Sequence, residues 1–199
     1  MQRVLPSSPM LGSPMTLDQW AALDEDDSRE LVDGRLEEAE VASVVHEVVV
    51  AWLLERLLAY FRAHGGRALG SGIKLAIDAR RGRLADIVCF SAGAKLPREG
   101  AVRTAPQLVV EVVSPRPGDQ RRDRIAKPED YATLGARAYW LVDPWLRTLE
   151  ILELGADGRY ARALARTAGT IESIPGLPDL AIDLDAMWAE VDALPVDEG

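Results

Sequence analysis

The sequence predicts an α/β (α+β) domain, a central mixed β-sheet flanked by helices. Three observations carry that expectation. The segment 42–66 repeats apolar residues at helical spacing over a length no strand reaches. Short apolar runs at 73–77, 84–90, 107–113 and 136–143 have the composition of buried strands. Asp33-Gly34 and Asp157-Gly158 supply hairpin turns between paired runs. Helical patterns precede, interrupt and follow the strand patterns, with no internal repeat. One domain is therefore expected over 16–190, between loose tails at 1–15 and 191–199.

The elements follow in order. Thr16 opens "TLDQWAAL" as an N-cap with Gln19 in the capping-box position, which starts a short helix. "RELVDGRLEE" reads as a hairpin. In "ASVVHEVVVAWLLERLLAYFRAHGG" the valines favour strand locally, but the stripe His46, Val50, Leu53, Leu57 favours helix. Gly65 and Gly66 end it. "GSGIKLAIDARRGRLADIVCFS" reads as two strands, 73–77 and 84–90, around a basic turn. "PQLVVEVVSP" holds a third strand, and a loop with Pro115 and Pro117 leads to a helix around 125–134, closed by Gly135. "ARAYWLVD" is a buried strand, and "RTLEILELGADGRYARALA" is a hairpin. "IPGLPDLAIDLDAMWAEV" closes as an extended piece and a short helix.

The chain has 199 residues, 48% of them hydrophobic, enough for a substantial core. Its single cysteine, Cys89, excludes an intrachain disulfide framework and a Cys-rich zinc site, so a reducing cytoplasm is the expected compartment. "MQRVLPSSPMLGSPM" has no continuous apolar stretch and reads as a tail, not a signal peptide. No apolar run is long enough for a membrane span, so a soluble protein without a membrane partner is expected.

The net charge of −9 taken alone argues against a nucleic-acid binder. Its distribution does not. Residues 23–40 hold nine acids against two arginines, a net of −7, whereas residues 114–127 hold five basic residues against two acids, a net of +3. The basic segment directly follows the strand 107–113. A solvated Arg-rich loop would look the same by charge.

Within that strand, Glu111 interrupts Leu108, Val109, Val110, Val112 and Val113. A buried carboxylate needs a cation, a metal or a proton. Alternation places Glu111 on one face with Val109 and Val113. The preceding run repeats the arrangement, with Asp86 on the face of Val88 and Phe90. Adjacent strands would bring the two acids together, where they repel unless a divalent cation lies between them. Carboxylate oxygens with water and phosphate suit Mg²⁺. The same pattern also fits two separate ion pairs with arginines, or acids at a strand end in water.

The segments "ADIVCF", "APQLVVEVVSP", "RDRIAKPEDYATLGARAYWLVDP" and "IPGLPDLAIDL", with "ELVDGRLEEAEVASVVHEVVVAWLLERL" near the N-terminus, resemble the Uma2 family of restriction-endonuclease-like proteins. That family belongs to the PD-(D/E)XK nuclease superfamily, and the similarity runs from roughly Thr16 to Trp188. It implies a restriction-endonuclease-like fold and an endonuclease that hydrolyses phosphodiester bonds in DNA with Mg²⁺ or Mn²⁺. Asp86 matches the acid of the first element, with Ala85 where a proline is usual, and Glu111 matches the acid of the second. The superfamily lysine would stand at 113, which is valine here, and Lys127 in the next helix matches the position that serves instead. Pro128 requires Lys127 to lie in a first helical turn.

Glu30 matches an early glutamate that adds a metal ligand, with an exposed acid as the plain alternative. His46 matches a histidine at the start of the long helix, either lining the site or satisfied in the core. Asp123, four residues before Lys127, is spaced to pair with it. Arg116, Arg121, Arg122 and Arg124 are placed to grip backbone phosphates. On this reading Asp86 and Glu111, with Glu30, hold a cation that polarises the phosphate and activates water. Lys127 orients that water or stabilises developing charge. A nuclease fold that no longer cuts and serves as a binding or assembly module is the alternative, suggested by Val113 and the acidic balance. A homodimer or higher homo-oligomer is expected, with Trp140 and Trp145 available for a contact between copies or for the core.

Overall fold

The computed structural model describes residues 9–24, 27–38 and 42–195. Helix α1, Leu17–Ala21, begins with the expected capping box. The Thr16 hydroxyl accepts from the Gln19 N–H, and the Gln19 side chain accepts from the Thr16 N–H at 2.9 Å. Strands β1, Glu30–Val32, and β2, Arg35–Glu37, form the hairpin. Both turn residues are left-handed, Asp33 at φ 50 and Gly34 at φ 77, as a two-residue turn between twisted strands demands. Ahead of it, the Gly12 and Met15 N–H groups donate to the Leu36 and Gly34 carbonyls, so this stretch runs beside the hairpin.

Helix α2, Val44–Ala63, starts at Ser43, whose hydroxyl accepts from the His46 N–H. The cost of its β-branched residues is small beside the apolar stripe it buries, Val49, Val50, Leu53, Leu57 and Phe61. After the left-handed Gly65 the chain reverses into β3, Arg67–Leu69, a strand the sequence reading lacked. Three residues with one buried side chain leave no periodicity to read.

Strands β4, Lys74–Ala76, and β5, Gly82–Leu84, precede β6, Ile87–Phe90, and β7, Leu108–Val112. The run expected as one strand over 84–90 is two strands in two sheets. Leu84 pairs with Lys74 in one, and Ile87 pairs with Val110 in the other. Asp86 sits at the junction, and its Oδ2 accepts the Val112 N–H at 2.7 Å in place of a ladder carbonyl. A continuous apolar run cannot signal a change of sheet, because both halves are buried.

The helix expected from about 125 begins earlier. Helix α3, Pro117–Arg121, a π-helical segment Arg122–Ala126, and α4, Lys127–Leu134, follow one another directly. Pro117 stands at the first helical position, where a missing N–H costs nothing. Strands β8, Ala138–Asp143, β9, Thr148–Leu154, and β10, Tyr160–Arg166, come next. Strands β11, Thr170–Ile171, and β12, Ile182–Asp183, with α5, Leu184–Asp192, complete the described chain.

The central sheet has the order β10-β9-β8-β7-β6-β3 and is mixed, since β7 and β8 are parallel while the other neighbours are antiparallel. A smaller sheet, β2-β1-β5-β4, stands beside it. Alternation divides β7 as expected. Leu108, Val110 and Val112 join the core under α2 and α5, whereas Val109 and Val113 join the core that contains Tyr131 of α4. Trp140 is fully buried in the first core and cannot serve a contact between copies, while Trp145 is exposed. No helix among the described residues is long and apolar enough to cross a membrane.

Trp20 closes the third core beneath the small sheet, with its indole N–H donating to the Arg29 carbonyl at 2.7 Å. A Cβ on Gly82 would lie 2.3 Å from its ring. Gly82→Ala is therefore expected to destabilise the protein by about 1–3 kcal/mol through overpacking. A urea unfolding midpoint equal to wild type would show that the small sheet gives way freely.

Candidate active site

Two elements build the centre of the site. Strand β7 presents Glu111, 2% exposed, toward α4. From α4, the Lys127 ammonium donates to Glu111 Oε2 at 2.7 Å, and the Tyr131 hydroxyl, one turn later, donates to Oε1 at 2.6 Å. Lys127 is also 3.0 Å from Asp123 Oδ1, the pairing expected from their spacing. Contrary to the expectation from Pro128, Lys127 is not in a first helical turn. Helix α3 and the π-helical segment run directly into α4, so Pro128 lies within a continuous helical stretch. The Lys127 N–H reaches back five residues to the Arg122 carbonyl. The widened turn thus falls directly ahead of Pro128, whose ring would crowd a regular turn.

Asp86 faces this centre from the β5–β6 junction. Its Oδ2 lies 3.1 Å from His46 Nε2 in the first turn of α2, besides accepting the Val112 N–H. Since β6 runs antiparallel to β7 with Ile87 opposite Val110, the next pair along would be Asp86 and Glu111. Both acids line a cavity of about 280 Å³, together with Glu30, His46, Arg122 and Lys127. Glu30, buried rather than exposed, accepts from Arg83 Nη1 at 2.7 Å and from the Leu84 N–H at 3.0 Å. Arg83 Nε in turn donates to Asp130 Oδ2 at 2.7 Å, and Arg81 also bonds Asp130, which ties the small sheet to α4.

The charges are unequal to one another. Burial pushes Glu111 up to about 8; Lys127 opposes that rise, and the neighbouring Asp86 and Asp123 add to it. Asp123 is likewise raised by burial. Burial would raise Asp86 too, but the His46 ring, the Lys127 charge and the Val112 N–H outweigh it and hold Asp86 below the usual carboxylate range. Glu30 is held low against burial by Lys127 and Arg83. Lys127, surrounded by these acids, stays protonated far above neutrality despite its burial. One ammonium shared among several buried carboxylates leaves the site short of positive charge.

Among the described residues, no group of three or more His, Cys, Asp or Glu is arranged to hold a metal ion by itself. Two carboxylates on an accessible cavity with a deficit of positive charge fit a hard divalent cation that keeps several waters, not an all-protein cage.

The expected phosphate-binding arginines separate into groups. Arg116 and Arg121 are exposed, and Arg122 lines the cavity. Arg124 is committed to Asp143 at 2.7 Å and Glu150 at 3.0 Å, and so braces the helix against β8 and β9. Sequence reasoning missed Tyr131, Arg83 and Asp130. Tyr131 stands four residues after Lys127 on one helical face, a signal that was present. The Arg83–Asp130 pair spans 47 residues and left none.

The family described as "Uma2: Putative restriction endonuclease" matches residues 15–185 of the chain. A solved structure, described as "a putative nuclease belonging to DUF820 from Anabaena variabilis ATCC 29413", superposes with a TM-score of 0.70 at 17% identity. The match covers 89% of this chain and 99% of that one, and at such identity it shows a shared fold. No curated protein matches the chain. With a match that takes in both sheets, α2 and the strand bearing Glu111, the chain belongs to the Uma2 family.

Proposed function

We propose that the protein is a metal-dependent endonuclease that hydrolyses phosphodiester bonds in DNA, with Mg²⁺ or Mn²⁺ held at Asp86 and Glu111. The observation that carries this reading is the meeting of these two acids on one cavity with the Lys127 ammonium 2.7 Å from Glu111. A divalent cation there would supply charge that polarises a phosphate and acidifies water. The chain's own residues do the rest. His46 and the Val112 N–H fix the Asp86 carboxylate in its ionised form. Lys127 offers a cation to the charge that develops on the phosphate oxygens. Glu30 adds a carboxylate to the cavity wall, fixed by Arg83 and Leu84. Val113, at the usual lysine position, is buried among apolar side chains, while Lys127 brings an ammonium to Glu111 from the helix.

Arg116 and Arg121 supply backbone contacts without reading sequence. Arg116→Gln and Arg121→Gln are each expected to lower the slope of log affinity against log salt by about one, uniformly across DNA sequences. Titrations of a labelled duplex with the Asp86→Ala background, which prevents cutting, measure it. An unchanged slope removes these two arginines from the interface.

The reading as a whole is tested by incubating supercoiled plasmid and circular single-stranded DNA with the protein in Mn²⁺ or Mg²⁺, beside Asp86→Ala and Glu111→Ala. Metal-dependent nicking lost in both variants supports it. Intact DNA, with no rise in melting temperature on adding Mn²⁺, would make this a nuclease-fold binding or assembly module. Light scattering on the same samples reads the expected homo-oligomer.

A further inference from the structure

The hydroxyl of Tyr131 stands apart from the cavity residues. Tyr131 is fully buried and does not line the cavity, yet it donates a 2.6 Å hydrogen bond to Glu111 Oε1. Lys127, which does line the cavity, takes the other oxygen, Oε2. The two donors, one turn apart on α4, therefore take different oxygens of one carboxylate, Lys127 beside the cavity and Tyr131 within the core. They differ in freedom. Lysine is a flexible stem that can yield its oxygen, whereas a tyrosine ring moves about two torsions only.

The Tyr131 ring is further confined. It packs on Tyr139 with centroids 5.7 Å apart, and Tyr139 packs on Tyr160 at 5.9 Å. Tyr139 is itself pinned by its hydroxyl to the Asp123 carbonyl at 2.7 Å, and Tyr160 to the Ala136 carbonyl at 2.8 Å. It is the contact between rings, which survives the loss of either neighbour's hydroxyl, that confines the Tyr131 ring.

We infer that Tyr131 is a positioning residue: it anchors Glu111 Oε1 from the core so that Oε2 remains turned to the cavity when Lys127 releases it. This rests on the reading of Glu111 as a metal-holding carboxylate. Partners that orient a ligating group in this way typically matter by 10–100-fold in metal affinity or activity. A Glu111 freed of this bond would turn among several rotamers and meet a cation in only some of them.

Tyr131→Phe deletes the hydroxyl and keeps the ring. Its Mn²⁺ affinity, read from the spectrum of free Mn²⁺ by electron paramagnetic resonance, is expected to fall about tenfold, and kcat for nicking about 10–100-fold at nearly constant KM. Tyr139→Phe, which removes an equally buried hydroxyl from the same stack without touching Glu111, is the control. It is expected to shift the melting temperature yet keep wild-type Mn²⁺ affinity. Equal Mn²⁺ affinity in Tyr131→Phe and wild type overturns the inference, and so does an equal loss in both tyrosine variants. A metal-free crystal structure of the Lys127→Met, Tyr131→Phe double variant, beside Lys127→Met alone, gives an independent reading: a Glu111 carboxylate turned only in the double variant supports the positioning role, and one placed alike in both overturns it. A wild type that binds no Mn²⁺ removes the metal reading instead, and the crystal structure still decides whether Tyr131 orients Glu111.

Discussion

Glu111→Gln is expected to lower metal-dependent cleavage by at least about 10³-fold, because the several kcal/mol a cation contributes to a charged transition state depends on its carboxylate. The substitution keeps the shape of the side chain and one oxygen that accepts from Lys127, while its amide N–H can donate to the Tyr131 oxygen, so the fold should survive. Its effect on stability has a predictable sign. Glu111 titrates near 8 in the folded protein, above its unfolded value of 4.5. The folded state therefore holds the proton longer, and this group's contribution to stability is lost as pH rises from about 4.5 to about 8. Metal-free wild type should weaken over that window, and Glu111→Gln should lack this part of the slope. Added Mn²⁺ should oppose the weakening in wild type alone, since binding favours the ionised carboxylate. Denaturant titrations at pH 5, 7 and 9 with and without Mn²⁺ test both statements. A stability profile in Glu111→Gln identical to wild type would place the titrating group elsewhere.

Lys127→Met is expected to separate chemistry from metal binding. The ammonium is buried between Glu111 and Asp123, and its removal leaves carboxylates without their cation. Breaking a buried pair in this way costs about 3–5 kcal/mol. The loss should be smaller at pH 6 than at pH 8, because both acids, already raised, escape by taking up protons as pH falls. Cleavage is expected to drop about 10²–10³-fold, the effect of removing one preorganised group that meets developing charge. Mn²⁺ affinity should hold or rise, since the competitor for Glu111 Oε2 is gone. A fall in Mn²⁺ affinity that matches the fall in cleavage would make Lys127 a support for the metal site and not a partner of the phosphate.

Much of the molecule was legible because its local rules agree with its fold. The Thr16–Gln19 capping box, the Asp33-Gly34 turn and the stripe on α2 each need only neighbours along the chain, and all three form. Alternation in β7 put Glu111 with Val109 and Val113, and the structure gives it that face. Other features depend on a choice of partner, which a buried residue does not advertise. The run 84–90 is apolar on both sides of Asp86, so nothing in it marks where one sheet ends and the next begins. Glu30 reads as one acid among many in an acidic segment, yet Arg83 draws it into the interior.

By itself the sequence determined the mixed sheet, the long covering helix and the presence of two carboxylates in apolar strands that demand a compensating charge. Burial by pattern is a property of one segment at a time, and spacing alone reveals it. Tertiary structure decided what answers that demand. The π-helical turn before Pro128 sets Lys127 over Glu111, the tyrosine stack brings a second donor from the core, and the strand break aims Asp86 at the same cavity. Each depends on segments far apart in the chain meeting within hydrogen-bond distance, and only the packed fold specifies such meetings.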